Sequence, residues 1–262
     1  MDKSSVSGVA LAVGGITLGL LLEGGHVSQI VQPTAAIIVF GGTIGAVMLQ
    51  FPLSVLMAAL RQLSTVFRDR AINSLSMVRQ LVGYAHQARR AGIISLDDEL
   101  DSITDPFLRR SLMLAIDGSE PEELRKMMES ELGSRAEEEE MTARVFESAG
   151  GFSPTIGIIG AVLGLIQVMQ HLSNMEEVGK GIAVAFVATI YGVASANLLF
   201  LPSAGKLRIR HRQQQVLREM TLEGVISILE GMNPHVLEIK LLGYLEEQNR
   251  DRETERRAEF QR

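Results

Sequence analysis

ESAGGFSPTIGIIGAVLGLI, residues 147–166, decides how this chain is read. Its later half is apolar enough to enter hydrocarbon, yet it is rich in glycine, holds a Ser-Pro pair and carries no charge after Glu147. Such a run is either a lipid-facing anchor or one wall of a pathway. The runs around it set the wider class: 6–22, 34–60 and 181–205 are uncharged like 149–171, and nearly all the charge falls between them. Each run approaches or exceeds the roughly 20 residues that a helix needs to cross about 30 Å of hydrocarbon. The expected fold is an all-α membrane protein with four transmembrane helices, at about 6–22, 34–55, 150–171 and 181–203. A large helical cytoplasmic segment separates the second span from the third, and a helical cytoplasmic tail follows the fourth.

The chain therefore divides into a first hairpin (1–60), a cytoplasmic segment (61–148), a second hairpin (149–205) and a tail (206–262). Orientation follows from the basic residues, which are held on the cytoplasmic side near span ends. Of 25 Lys and Arg, only Lys180 lies in the connections 23–33 and 172–180, so both termini are expected in the cytoplasm and both short loops outside. The apolar N-terminal run has no convincing cleavage site and reads as a retained first span. The net charge of −6 and the lack of a basic, aromatic face argue against nucleic acid as a partner, and membrane lipid is the expected surrounding. With no cysteine there is neither a disulfide framework nor a thiolate metal site.

The cytoplasmic segment has apolar residues at helical spacing, including a stripe of Ile72, Leu75, Val78, Val82 and Ala85. Asp105-Pro106 reads as an N-cap with proline at the first helical position, and 119–123 (SEPEE) starts another helix in the same way. The acidic run 137–140 leads without a break signal towards the third span. A tail helix is expected from Leu207 to about Gly231, a turn at Asn233-Pro234, a further helix from His235, and a frayed last dozen residues.

Inside the spans, small residues form ridges: Ser153, Gly157, Ala161 and Leu165 with Gly160 and Gly164 adjoining, and Ala185, Thr189, Gly192 and Ala196. Such ridges let membrane helices approach closely, either for packing alone or for a functional contact. No Asp, Glu, Lys or Arg lies within a span, and only Thr155, Thr189, Tyr191, Ser195 and Asn197 offer polar atoms near the third and fourth. Hydroxyls can line a wet path but cannot take a proton on and off near neutral pH. If ions cross, the charged carrier must come from another subunit. Pro154, after a capping Ser153, reads as opening the third span, while Pro202 should kink or hinge the fourth near the same boundary. No nucleophile with a base, metal cluster or phosphate loop appears, so no enzyme, catalytic residue, cofactor or metal is expected.

Five strings carry a resemblance: QPTAAIIVFGGTIGAV (32–47), ARRAGIISLDDEL (88–100), DPFLRRSLMLAIDG (105–118), ESAGGFSPTIGIIGAVLGLIQVM (147–169) and GKGIAVAFVATIYGVASANLLFLPSAGKL (179–207). They cover most of the chain and resemble the A subunit of the bacterial flagellar motor stator, the MotA/PomA group, within the wider set of ExbB and TolQ. The resemblance implies a torque-generating inner-membrane protein that couples inward ion flow to rotor rotation. It implies a homo-oligomeric ring of five copies around two MotB/PomB-like B subunits, which supply an intramembrane Asp, and contact with a FliG-like rotor switch protein. It assigns rotor contact to Arg89, Arg90 and Asp97, conformational change to Pro154 and Pro202, and an ion pathway to Thr155, Ala161, Thr189 and Tyr191. Asp97 stands where the group usually has Glu, and Ala91 where Glu is frequent. Sodium-type members carry Thr at the position of Ala161, so the implied ion is H+ rather than Na+. Other readings are an ExbB/TolQ-like subunit energising an envelope complex, and a membrane scaffold without ion flux.

Overall fold

The computed structural model describes residues 3–66 and 73–244. Ile72 of the expected stripe and the last dozen residues lie outside the described residues. Every regular element among those described is helical.

Helix α1 (Lys3–Leu22) is the first span. None of its most apolar window is buried within the chain, so lipid or another chain must cover it. After a 3-10 turn at Val27–Ile30, α2 (Pro33–Gln50) begins with proline, its N-cap Gln32 being extended. It contains one π turn at Ile37–Gly41. The second span is shorter than the expected 34–55. Phe51 adopts an extended backbone, φ −121° and ψ 142°, and the uncharged run to residue 60 continues in a separate helix, α3 (Leu53–Val66). The cause is Pro52, whose ring pushes the preceding residue out of the α region. One face of α3 packs Val55, Leu56, Ala59 and Leu63 onto a cluster that includes Phe51, Phe146 and Leu207, while Leu53, Met57 and Leu60 remain exposed.

The chain forms two compact units, Met1–Arg70 with Glu138–Ile209 and Ala71–Glu137 with Arg210–Arg262. Two long helices contribute residues to both. The first is α6 (Pro121–Gln170), 50 residues long, which carries the acidic run straight into the third span as anticipated. The second is α7 (Met175–Leu229), 55 residues long. The tail is therefore not a new helix from Leu207 but the continuation of the fourth span, ending before Gly231, whose φ of +74° suits glycine. Residues 234–244 form α8.

The second unit also holds α4 (Ser74–Ala91), a 3-10 stretch (Ile93–Ser102) and α5 (Pro106–Ile116). Asp105 caps α5 as its sequence suggests, Oδ1 accepting from the backbone N–H groups of Phe107 at 3.0 Å and Leu108 at 2.9 Å. The core gathers Leu81, Leu96, Phe107, Leu112, Met128 and Leu237, all fully or almost fully buried. On α4 the buried face is Met77, Val78, Leu81, Tyr84 and Ala85; Leu75 of the expected stripe is exposed at its edge. Beside this core, Glu223 lies between Arg125 Nη2, at 2.9 Å, and Lys240 Nζ, at 2.5 Å. Burial pushes the Glu223 carboxyl up, but the bonds from Lys240 and Arg125 outweigh it and hold the group below its usual range.

Candidate functional site

The second hairpin is built on backbone approach. A Cβ on Gly157 would lie 2.9 Å from the Ala188 carbonyl oxygen, one on Gly164 2.7 Å from that of Gly181, and one on Gly192 2.6 Å from that of Ser153. These distances leave no room for a side chain, so α6 and α7 touch along Ser153, Gly157, Gly160 and Gly164 on one side and Gly181, Ala185, Ala188 and Gly192 on the other. The ridge of α6 therefore runs through Gly160 and Gly164 rather than through Ala161 and Leu165, which are half-buried and exposed. At about 100° per residue, 153, 157, 160 and 164 share a face from which 161 and 165 are turned away.

The first hairpin covers one flank of this pair. Ile156 and Ile38 crowd the positions where Gly42 and Gly160 would bear a Cβ, and Ala35 and Val39 of α2 pack with Val187 and Ala188. Tyr191 belongs to that flank. Its hydroxyl donates to the Ile30 carbonyl at 2.6 Å and accepts from the Gln32 N–H at 3.2 Å, and its ring stacks on Phe40 with centroids 6.0 Å apart. Ala161 and Thr189 lie on the opposite flank by the same helical geometry, on adjoining turns of α6 and α7. Thr189 Oγ1 donates to the Ala185 carbonyl at 3.2 Å, leaving its lone pairs to accept. Thr155 is exposed, about 120° around α6 from Ala161, and bonded to the Phe152 carbonyl at 2.8 Å. Of the four residues implied for a pathway, two come together, one faces away and one secures the first hairpin.

Both prolines lie inside continuous helix. Pro154 does not open the third span, and Ser153 is not a cap, because α6 arrives from Pro121 already formed. Ser153, fully buried, instead meets Ser195 of α7, Oγ to Oγ 2.6 Å, and Ser195 donates to the Tyr191 carbonyl at 2.6 Å. Ahead of Pro202 the helix widens into a π turn at Ala196–Phe200, where the Leu201 N–H reaches back to the Ala196 carbonyl. A wide turn accommodates a ring that lacks an N–H and would collide with an α-helical carbonyl four residues back. The two defects meet: Leu201 packs on Gly150, the residue four before Pro154. Nothing in the sequence around Pro202 marks the π turn.

Farther along the same ends lies an ion cluster that no motif indicated. Arg208 of α7 binds Glu140 and Glu147 of α6, with Nη2 2.9 Å from Glu140 Oε1 and 2.5 Å from Glu147 Oε2. The Arg208 guanidinium holds both carboxyls below their usual range, and they in turn raise the Arg208 pKa. The only hints were a carboxylate pair seven residues apart and an arginine after Pro202. In the second unit, Arg89, Arg90 and Asp97 are exposed, the arginines in the last turn of α4 and Asp97 in the 3-10 stretch, joined through Gly92 with φ +83°.

Known proteins resemble the chain over nearly its full length. Residues 99–220 match the MotA/TolQ/ExbB proton channel family and residues 6–91 the Motility protein A N-terminal family. Motility protein A of Bacillus subtilis (strain 168) is 35% identical over 255 residues, covering 95% of this chain and 93% of that protein. In the C. jejuni MotAB structure, one chain superposes with a TM-score of 0.88 at 32% identity, covering 93% of this chain and 96% of its own. For the flagellar MotAB stator complex from Bacillus subtilis the TM-score is 0.86 at 34% identity, with coverage of 96% and 99%.

Proposed function

The chain belongs to the MotA/TolQ/ExbB proton channel family and is a flagellar motor stator subunit, and we propose that the ion it couples to rotation is the proton. It is a multi-pass membrane protein of the bacterial inner membrane that works in an oligomeric complex with a MotB-type partner. In this reading five copies surround two partner chains, both termini are cytoplasmic, and Arg89, Arg90 and Asp97 meet a FliG-like rotor protein. The match of residues 6–91 to the motility branch supports this reading over an ExbB/TolQ-like envelope subunit.

One observation carries the mechanism: the flank of the second hairpin that bears Ala161 and Thr189 is uncharged and is not covered by the first hairpin. A single partner helix bringing a carboxylate to that flank would find glycine-thin walls, the Thr189 hydroxyl and no competing charge. Burial of that carboxylate favours its neutral form, so it binds a proton from the outer side and must release it where water reaches it. The π turn and Pro202 put the weakest helical bonding at one end of that flank, where bending costs least. A sodium ion would need several oxygens in place of its water shell, and Ala161 withholds one of them. Tyr191 serves here as the tie between hairpins, not as a pathway group.

The test is complementation of a stator-deleted strain with this chain and its partner. Rotation should return and stop on adding a protonophore, and it should be indifferent to external sodium. Ala161→Thr should lower proton-driven speed several-fold or admit sodium. A native motor that runs only with sodium would overturn the ion assignment.

A further inference from the structure

Beyond its prolines the second hairpin joins its helices by apolar packing of Phe146 and Ala149 with Ala204 and Leu207, and adds charge at its edge. Arg208 lies six residues after Pro202 and Glu147 seven residues before Pro154, so their ion pair closes a loop that contains both prolines and both spans. Arg208 Nε stands 3.2 and 3.3 Å from the two oxygens of Glu140, Nη2 2.9 Å from Glu140 Oε1, and Nη1 and Nη2 3.2 and 2.5 Å from the two oxygens of Glu147. Arg144 adds a contact to Glu140 at 3.4 Å. The side chains of Arg208, Glu140 and Glu147 are 39%, 36% and 50% exposed, so one such pair alone would add little stability. What distinguishes the arrangement is its geometry. A planar five-donor fork, unlike a lysine, engages two carboxylates at once and sets direction as well as distance.

The two carboxylates are seven residues apart on α6, two helical turns or about 10.5 Å along the axis, and on one face. Arg208 sits between them. If α7 slides along α6 by a fraction of a turn in either direction, the guanidinium moves towards one carboxylate as it leaves the other and stays paired throughout. A single carboxylate would permit one register only, and with no carboxylate only the apolar cluster of Phe146, Ala149 and Leu207 would hold these ends, without a polar guide for the shift.

We propose that Arg208 is a positioning residue, a sliding clamp on Glu140 and Glu147 that keeps α6 and α7 side by side while the helices bend at Pro154 and Pro202. Bending then becomes a lengthwise shift of paired helices instead of being lost as their separation. This rests on the stator reading, since the motion it guides is the one that ion passage drives.

The experiment measures rotation per assembled complex in the stator-deleted strain, with assembly read from co-purification with the partner. Glu140→Gln and Glu147→Gln should each keep rotation, while the two together should abolish it with assembly retained. Arg208→Gln should match the double variant, and Arg208→Lys should fall between it and the native chain. Reversing all three charges, Arg208→Glu with Glu140→Arg and Glu147→Arg, should restore part of the rotation. The clamp is overturned if the double carboxylate variant turns like the native protein, if either single variant stops the motor as fully as the double, or if the double variant fails to assemble. Failure of the native chain to restore rotation would instead count against the stator reading itself.

Discussion

The second hairpin and the core of the second unit join helices by opposite means. Along α6 and α7 the contact residues are Gly157, Gly160, Gly164, Gly181 and Gly192, and backbone meets backbone. In the second unit the contacts are Leu81, Phe107, Leu112 and Met128, and side chains fill the space between helices. The difference follows from the solvent. In water, large apolar groups stabilise by leaving it, about 25 cal/mol for each Å² of apolar surface buried. In lipid a leucine gains nothing by leaving hydrocarbon for a similar neighbour, so close van der Waals approach and hydrogen bonds such as Ser153 to Ser195 must hold the helices. One chain thus uses its smallest residues where one would first look for its largest.

Enlarging a contact glycine should break the comparison most severely. Gly192→Val would force a side chain into the 2.6 Å between the Cβ position and the Ser153 carbonyl, with Pro154 Cα at 3.2 Å. Both neighbours are backbone and cannot step aside. The expected result is loss of rotation and of assembly with the partner, read by co-purification; a variant that assembles normally would show that the hairpin is looser than its geometry.

Shrinking a core residue should act oppositely in the second unit. Phe107→Ala leaves a cavity at a site only 2% exposed and should cost about 3–5 kcal/mol, seen as a lower thermal midpoint of the purified complex. The same reduction at Leu11 of α1, which is 79% exposed, should shift that midpoint much less, since it opens no cavity within the chain.

The smallest effect separates the ion-paired helix ends from the uncharged spans. Glu140, Glu147 and Glu223 have pKa values below the ordinary carboxylate value of 4.5, so their ion pairs stabilise the fold above that pH and lose their effect as pH falls through the lowered values. Acid should therefore loosen these ion pairs and leave the uncharged spans untouched. Glu223→Gln should cost about 1–2 kcal/mol near neutral pH and flatten the acid limb of a stability-against-pH curve; an unchanged limb would assign the acid sensitivity elsewhere.

Much of the fold was legible because hydropathy and charge report solvent directly: four apolar runs, the Asp105 cap, and the acidic run entering the third span each follow from local chemistry. The errors share a cause. Pro52 lay inside an uncharged run whose lack of charge concealed a helix boundary, and Pro154 reads as a start because Ser-Pro is the pattern of a cap and first turn, even though the helix arrives from more than thirty residues upstream. At the site, the small-residue pattern was visible but its phase was not. Composition offers Gly160, Ala161, Gly164 and Leu165 alike, and only the partner helix selects between them. The bonds of Tyr191 to Ile30 and Gln32 were equally invisible, since those partners are about 160 residues away in the chain.

The sequence by itself determined that the protein has four runs able to span a membrane and that these runs carry no charge, which is why a charged carrier is expected from another subunit. These are statements about which residue meets which solvent, and solvent acts on each residue separately. Only the tertiary structure decided which flank of the second hairpin the first hairpin leaves uncovered, that Leu201 beside Pro202 packs on Gly150, and that Arg208 stands between two carboxylates. Those are pairings between distant parts of the chain, and they exist only once two helices have chosen a common face.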